Sequence, residues 1–269
     1  MPHVSFLSDF GHDDEFVGVV HGVIARIAPE VRVVDVTHAV PRGDVRAGAL
    51  SLLRAVQYLP DGVVLAVVDP GVGTARRAIA AATARGYVVG PDNGLLAPAV
   101  AMVGGATRVV SLDAPEFRLP SDGATFEGRD RFAPAAAVLA SGEAELGDLG
   151  PDVAPESLQP LLLPLVDHDE HAVSGEVWWI DTFGNLQTNV SPDDLAGLGL
   201  REGDRVEVRF GAMRHDLPWR ATYGDGNEPI LHVDSHGLMA VAVPGGRADE
   251  EFGVAVGLSV GFRRPRATG

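Results

Sequence analysis

Two runs of this chain place a carboxylate directly after an apolar stretch and follow it with glycine. They are Ser8-Asp9-Phe10-Gly11 and Asp69-Pro70-Gly71-Val72-Gly73-Thr74-Ala75-Arg76-Arg77. Ligands of open α/β sheets gather beyond the carboxyl ends of strands, so both runs are candidate ligand loops. Asp9 equally suits a helix cap or a turn. Asp69 and Arg76 meet if the second loop folds back, either as an ion pair that holds the loop or as part of a site. Two further segments have the same mixed character. Thr125-Phe126-Glu127-Gly128-Arg129-Asp130-Arg131-Phe132 crowds charge and aromatics around a glycine, before an alanine-rich stretch. Asp181-Thr182-Phe183-Gly184-Asn185 offers a carboxylate, an aromatic and an amide, as a nucleoside site or a polar turn would.

Several chemistries drop out on residue types. Gly71 and Gly73 do not complete G-x-G-x-x-G, because Arg76 stands at the third glycine position, which disfavours a dinucleotide site. His12, Asp13, Asp14 and Glu15 are adjacent and read as the acidic start of a helix rather than converging metal ligands. His168 and His171 fall in a connecting segment. No metal site and no cofactor are expected. The 269 residues include no cysteine, and all 21 basic residues are arginine. Thiolate nucleophiles, disulfides, Schiff bases and the P-loop lysine are thereby excluded. A net charge of −16 repels nucleic acid and anionic membranes, so neither is expected as a partner. The segment Met1–Phe6 lacks a basic region followed by an apolar run, and no stretch approaches ~20 unbroken apolar residues. A cytoplasmic location is the resulting expectation.

The elements that must position these residues follow from periodicity. Val4 to Ser8 reads as a strand, and Phe16, Val19, Val20, Val23, Ile24 and Ile27 recur at helical spacing up to Pro29. Val31–Val36 is a second strand, Ala49, Leu52, Leu53 and Val56 line a second helix, and Val63–Val68 is a third strand. A strand pair lies around Ala78–Val89, a tight turn at Pro91-Asp92-Asn93-Gly94, and a helix over Phe132–Ala140. This series predicts an α/β N-terminal domain, residues 1–165, with a mainly parallel sheet covered by helices. The proline-rich, acidic stretch 151–169 loses periodicity, which suggests a linker at 166–174. Residues 175–269 hold short runs such as Glu176–Ile180, Arg205–Phe210, Ile230–Val233 and Leu238–Val243, with one helix signal at Ser191-Pro192-Asp193-Asp194. They predict an all-β barrel domain.

Six ordered motifs carry a resemblance that spans essentially the whole chain. They are Ser8 to Gly11, Asp69 to Arg77, Pro91 to Gly94, Thr125 to Phe132, Phe183-Gly184-Asn185 with Thr188-Asn189, and Thr222-Tyr223. In these the chain resembles the S-adenosyl-L-methionine (SAM) hydroxide adenosyltransferase family, which is similar in fold to fluorinases and chlorinases. The resemblance implies attack of water on the ribose 5′ carbon of SAM, giving adenosine and methionine. It also implies a homotrimer with sites between subunits. Asp9 would hold the ribose hydroxyls, and Phe126 and Gly128 would line the ribose and the reacting carbon. Asp181, Phe183 and Asn185 would contact the methionine part and the adenine, with Tyr223 against the base. Ser235 would meet the methionine carboxylate or amine, and backbone near Gly245 would read the adenine edge.

Hydrolytic members carry aspartate where the halogenating relatives carry tyrosine, and Asp69 fits the former. Of their Asp-Arg-His set, Asp69 and Arg76 match, and Glu127 stands where histidine is usual. Asp234 and Pro244-Gly245-Gly246 also depart from the pattern. If Glu127 lies beside Asp69, two like charges raise one pKa and the pair holds a single proton, as a histidine could. Alternatively, Glu127 turns towards Arg129 or Arg131. A substitution Glu127→His is expected to raise the rate. The other readings are a SAM-binding or adenosine-binding trimer without useful catalysis and, third, a SAM-dependent halogenase.

Overall fold

The structure, a computed structural model, describes residues 2–224 and 226–265. The chain divides into two compact units at Leu162/Leu163. The first contains β1 (His3–Ser8), α1 (Phe16–Ile27), β2 (Arg32–Thr37), α2 (Val45–Ala55), β3 (Gly62–Val67), β4 (Ala78–Thr83), β5 (Gly86–Pro91), α3 (Ala97–Met102), β6 (Arg108–Ser111), α4 (Ala133–Ser141) and β7 (Asp152–Val153). Local chemistry accounts for the helix bounds. Val20, Val23 and Ile24 give α1 its buried face, and Ala28 N–H closes it on Ile24 O just before Pro29. Asp44 caps α2 by accepting Ala47 N–H at 2.9 Å, an interaction worth about 1 kcal/mol. Alanines let α4 pack closely, and Gly142 ends it at φ +78°.

The first sheet has the order β2-β1-β3-β5-β4-β6-β7. Its β1–β2, β1–β3 and β3–β5 pairs are parallel, whereas β4–β5, β4–β6 and β6–β7 are antiparallel. The expected mainly parallel sheet is therefore corrected to a mixed one. The reason is the two-residue connection Ala84-Arg85, which returns the chain as a hairpin with Thr83 opposite Gly86. Only glycine fits at 86, because an added Cβ would meet Gly62 O at 2.0 Å. Alternation along the strands feeds two apolar clusters. Phe6 and Leu65 join Ile24 of α1 and Ala136 of α4 in one; Leu7 and Ala66 join Leu52 of α2 and Val100 of α3 in the other.

The second unit contains β8 (Asp167–His168), β9 (Ala172–Ile180), β10 (Leu186–Thr188), α5 (Pro192–Gly197), β11 (Arg205–Phe210), β12 (Met213–Pro218), β13 (Ile230–Val233), β14 (Met239–Ala242), α6 (Ala248–Phe252) and β15 (Ser259–Arg263). The antiparallel order is β12-β11-β15-β9-β10-β14-β13, with β8 beside β9. A bridge between Trp219 and Leu231 brings the end of β12 to β13, which makes the sheet a nearly closed barrel. Val206, Val208 and Phe210 alternate inward with Val260 and Phe262. Ser191 and Asp194 form a capping box at α5, with Pro192 at its first turn. The short, acidic α6 has no periodic signal in the sequence. Among the described residues no helix is long and apolar enough to cross a membrane.

Candidate active site

The strand β3 releases Asp69 into a loop that its own turn chemistry closes. Val72 N–H donates to Asp69 O at 3.2 Å, Thr74 Oγ1 donates to Gly71 O at 2.7 Å, and Arg76 N–H donates to Thr74 Oγ1 at 3.3 Å. These turns bring Arg76 back over Asp69. Its Nε donates to Oδ1 at 3.1 Å, and Nη2 bonds Oδ2. The side chains are only 8% and 6% exposed, so the guanidinium fork holds this carboxylate in a nearly dry place. Burial pushes the Asp69 carboxyl above the usual carboxylate range. Arg76 opposes that rise, and the Glu127 charge adds to it.

Glu127 stands at the head of a π-helical turn, Gly128–Phe132, that leads into α4. Its Oε2 accepts Arg76 Nη2 at 2.5 Å, and its Oε1 lies 3.4 Å from Arg131 Nη2. Arg129 is engaged elsewhere: it donates to both oxygens of Asp130, at 2.5 and 2.9 Å, and lies 5.2 Å from the Phe126 ring centre. Burial lowers the Arg131 pKa, and the Glu127 charge opposes that fall. Two carboxylates and two guanidiniums thus form a cluster of zero formal charge. Arg76 Nη2 stands between the two carboxylates and bonds both.

Asp9 follows β1, and its Oδ2 accepts Gly43 N–H at 2.7 Å, joining the loops that follow β1 and β2. With Phe10, Asp69, Phe126, Glu127 and Gly128 it lines a cavity of about 500 Å³, within the range of small-molecule sites. The rings of Phe10 and Phe16 meet that of Phe126 edge-on, at 5.7 and 5.0 Å. A Cβ added at Gly128 would stand 2.9 Å from Phe10 Cζ and 3.2 Å from Phe126 Cε2. Ring packing behind the wall demands this glycine, besides any approach of a ligand.

The expected residues of the second unit fall on four connections between its elements. Asp181 Oδ1 accepts the N–H groups of Phe183 and Asn185, both at 2.9 Å, and its Oδ2 accepts Asn185 Nδ2 at 2.8 Å. The carboxylate therefore builds the turn that holds Phe183 outward, 75% exposed. Arg247 Nη1 braces the same turn by donating to Thr182 O at 2.9 Å. Tyr223 lies 5.1 Å from His232, ring to ring. Ser235 is exposed on the turn before β14, whereas Gly245 lies on the turn after it, at φ +71°. A wider depression lined by Arg201, Arg205 and Arg264 holds none of the expected residues.

Sequence models of the SAM hydroxide adenosyltransferase N-terminal and C-terminal domains match residues 4–150 and 175–261. The chain belongs to this family. It is 49% identical to a protein of Salinispora tropica named (R)-S-adenosyl-L-methionine hydrolase, over 95% of each chain. A fluorinase of an Actinoplanes species is a more distant relative, 28% identical over 96% of each. The crystal structure of an uncharacterized conserved protein from Thermotoga maritima is similar, with a TM-score of 0.90 and 34% identity, covering 97% of this chain and all of that one.

Some motifs that mark the family in this chain are scaffold. Asp92 accepts Arg77 Nε and Gln159 N–H, both at 2.8 Å, and Asn93 Nδ2 donates to Val68 O at 2.9 Å, next to Asp69. Thr188 is fully buried and donates to Met239 O at 2.8 Å, and Asn189 joins Glu176 N–H to Pro164 O. The departure at Asp234 is also explained. Its Oδ1 accepts the N–H groups of His236 and Leu238 at 2.8 and 3.0 Å, which an asparagine oxygen would do equally well. Sequence reasoning missed Arg42 and Gly43, which line the cavity beside Asp9. The carboxyl-end rule applied to β2 would have found them.

Proposed function

We propose that this chain hydrolyses SAM, with water attacking the ribose 5′ carbon to release adenosine and L-methionine. The observation that carries the reading is Asp69 held by the Arg76 fork on the wall of the cavity. Membership of the family and the name of the 49% identical relative support it. That name specifies the (R) sulfonium, so the (R) epimer is the proposed substrate.

The sulfonium is a good leaving group, so the site has chiefly to align a water oxygen behind the 5′ carbon and exclude other water. Prior deprotonation of water by an ordinary carboxylate is uphill by about 12 pK units, roughly 16 kcal/mol. Asp69 instead orients the water and accepts its proton late, as the C–O bond forms and the C–S pair leaves on the methionine sulfur. A carboxyl whose proton affinity is raised by burial is the better acceptor. Arg76 fixes its direction, and Arg131 balances Glu127.

The proposed contacts are Asp9 with the ribose hydroxyls and Phe126 and Gly128 beside the reacting carbon. Asp181, Phe183, Asn185 and Tyr223 serve the adenine and methionine, with Ser235 and the Gly245 backbone at the ligand's polar ends. We further infer a cytoplasmic homotrimer with sites between subunits and a reaction that needs no cofactor. Incubation with each SAM epimer in isotopically labelled water tests the reading. Label in the adenosine 5′ hydroxyl, with the (R) epimer turned over faster, is expected. Ligand binding without labelled adenosine would leave only the binding function, and equal turnover of both epimers would overturn the stereochemical part.

A further inference from the structure

On the first unit, away from the residues that line the cavity, His21 of α1, Asp35 of β2 and His38 just beyond β2 converge. His21 Nε2 and His38 Nε2 lie 2.8 and 3.0 Å from the same oxygen, Asp35 Oδ1, and the three donor atoms all fall within 4.8 Å of one another. Neighbouring ligands on a zinc-sized ion with bonds near 2.1 Å stand about 3.0–3.4 Å apart. The β1–β2 register shifts between Phe6 and Leu7, opposite Asp35 and Thr37, where this cluster forms.

Hydrogen bonding leaves His38 incompletely served. Its side chain is fully buried, and its Nδ1 is bonded to Ser8 Oγ at 2.7 Å. Its Nε2 faces Asp35 but makes no aligned hydrogen bond. If Nδ1 carries the proton to Ser8, the Nε2 lone pair confronts a carboxylate oxygen, an arrangement that a cation between them relieves. Ser8 supplies the outer hydrogen bond that orients a metal-bound histidine. Beneath both imidazoles lies Phe6, whose ring centre is 4.6 Å from His38 and 6.2 Å from His21.

We infer that His21, Asp35 and His38 form a binding site for one divalent transition-metal ion, with zinc the best match to two imidazoles and a carboxylate, and solvent completing the shell. His21 and Asp35 are partly exposed, which gives the ion a path in. The site is structural. His38 O accepts Gly11 N–H at 2.8 Å and His38 Nδ1 holds Ser8, so the ion clamps both ends of the segment that carries Asp9 and Phe10. It stands independently of what the cavity binds.

Calorimetric titration of the untagged, chelator-treated protein with zinc chloride tests the site, with cobalt chloride absorption reporting nitrogen and oxygen ligation. One equivalent of zinc is expected to bind and to raise the melting temperature. His21→Arg keeps an ion pair with Asp35 but removes a ligand, so this variant should fold in chelator yet bind zinc at least roughly tenfold more weakly. Asp35→Asn should weaken binding similarly. Absence of stoichiometric zinc binding in the parent protein overturns the inference, and so does undiminished binding in both variants.

Discussion

Arg131 Nη2 lies 3.4 Å from Glu127 Oε1, four residues along the same turn, while the other oxygen of Glu127 receives Arg76 at 2.5 Å. Glu127 is therefore an ion-paired member of the cluster. Its two cations divide the work. Arg76 spans Glu127 and Asp69, and Arg131 pairs with Glu127, with the Asp113 charge also acting on it.

Removing Arg131 should consequently act on Asp69 at a distance. In Arg131→Leu the cluster becomes net negative, which raises the proton affinity of Asp69 further. The acid limb of the pH–rate profile should move to higher pH, and stability should fall by about 1–3 kcal/mol as Glu127 loses a partner. An acid limb that does not move would show that the two carboxylates are electrostatically independent.

The pH profile of the parent protein has a definite sign. Asp69 accepts a proton only when ionised, so the rate should fall as pH drops through its pKa, which burial sets above the ordinary 3.8. Glu127→Gln removes a like charge and takes from Arg131 its ion-pair partner, and both changes favour ionised Asp69. The limb should move to lower pH, the opposite direction from Arg131→Leu. Rates of adenosine release across acid pH for the three proteins check the pair of signs.

Asp69→Asn keeps the shape of the group but abolishes the acceptor. A fall in kcat of about 10²–10⁴-fold with little change in KM is expected, because the loss falls on proton transfer and not on the nucleoside contacts. Arg76 retains Glu127 as a partner, so the fold should survive. Equal losses in kcat/KM and binding would instead place Asp69 among the ligand contacts.

Gly128→Ala tests the packing role of the glycine. Its Cβ would press on the Phe10 ring from 2.9 Å, so Phe10 must shift, at a cost of about 1–3 kcal/mol. Thermal melting should register several degrees, and KM should rise because Phe10 lines the cavity. An unchanged melting temperature would show that the rings yield freely.

Periodicity made β1, α1, β2, α2 and β3 legible because each spans a run long enough to show its apolar face. The antiparallel half of the sheet was hidden by one short connection, Ala84-Arg85, whose length fixes direction without altering strand composition. In the site, Asp69 and Arg76 were readable because their loop is local in sequence. The choice of Arg131 over Arg129 was not, since it depends on a π-helical turn that sends Arg129 to Asp130. Thr188 and Asn189 show the converse: polar residues in a family motif whose hydrogen bonds hold the barrel together.

That distinction is testable at Asn189. Asn189→Ala strands Glu176 N–H and Pro164 O, which should cost about 1–3 kcal/mol of stability and leave KM unchanged below the melting transition. A raised KM in fully folded protein would place Asn189 among the ligand contacts.

The ion pair also revises what Glu127→His should do. From sequence alone, restoring the family histidine raises the rate. With Arg131 in place, however, the single change removes the carboxylate that two guanidiniums share and leaves them without it in a partly buried site. The rate should therefore fall. Adding Arg131→Leu to Glu127→His removes the stranded charge while Arg76 keeps Asp69, so the double variant should exceed either single variant. A coupling of roughly 1–3 kcal/mol from the cycle of kcat/KM values is expected. If the effects of the two substitutions simply add, Glu127 and Arg131 do not act as a unit, and the single histidine variant alone measures what the family histidine contributes.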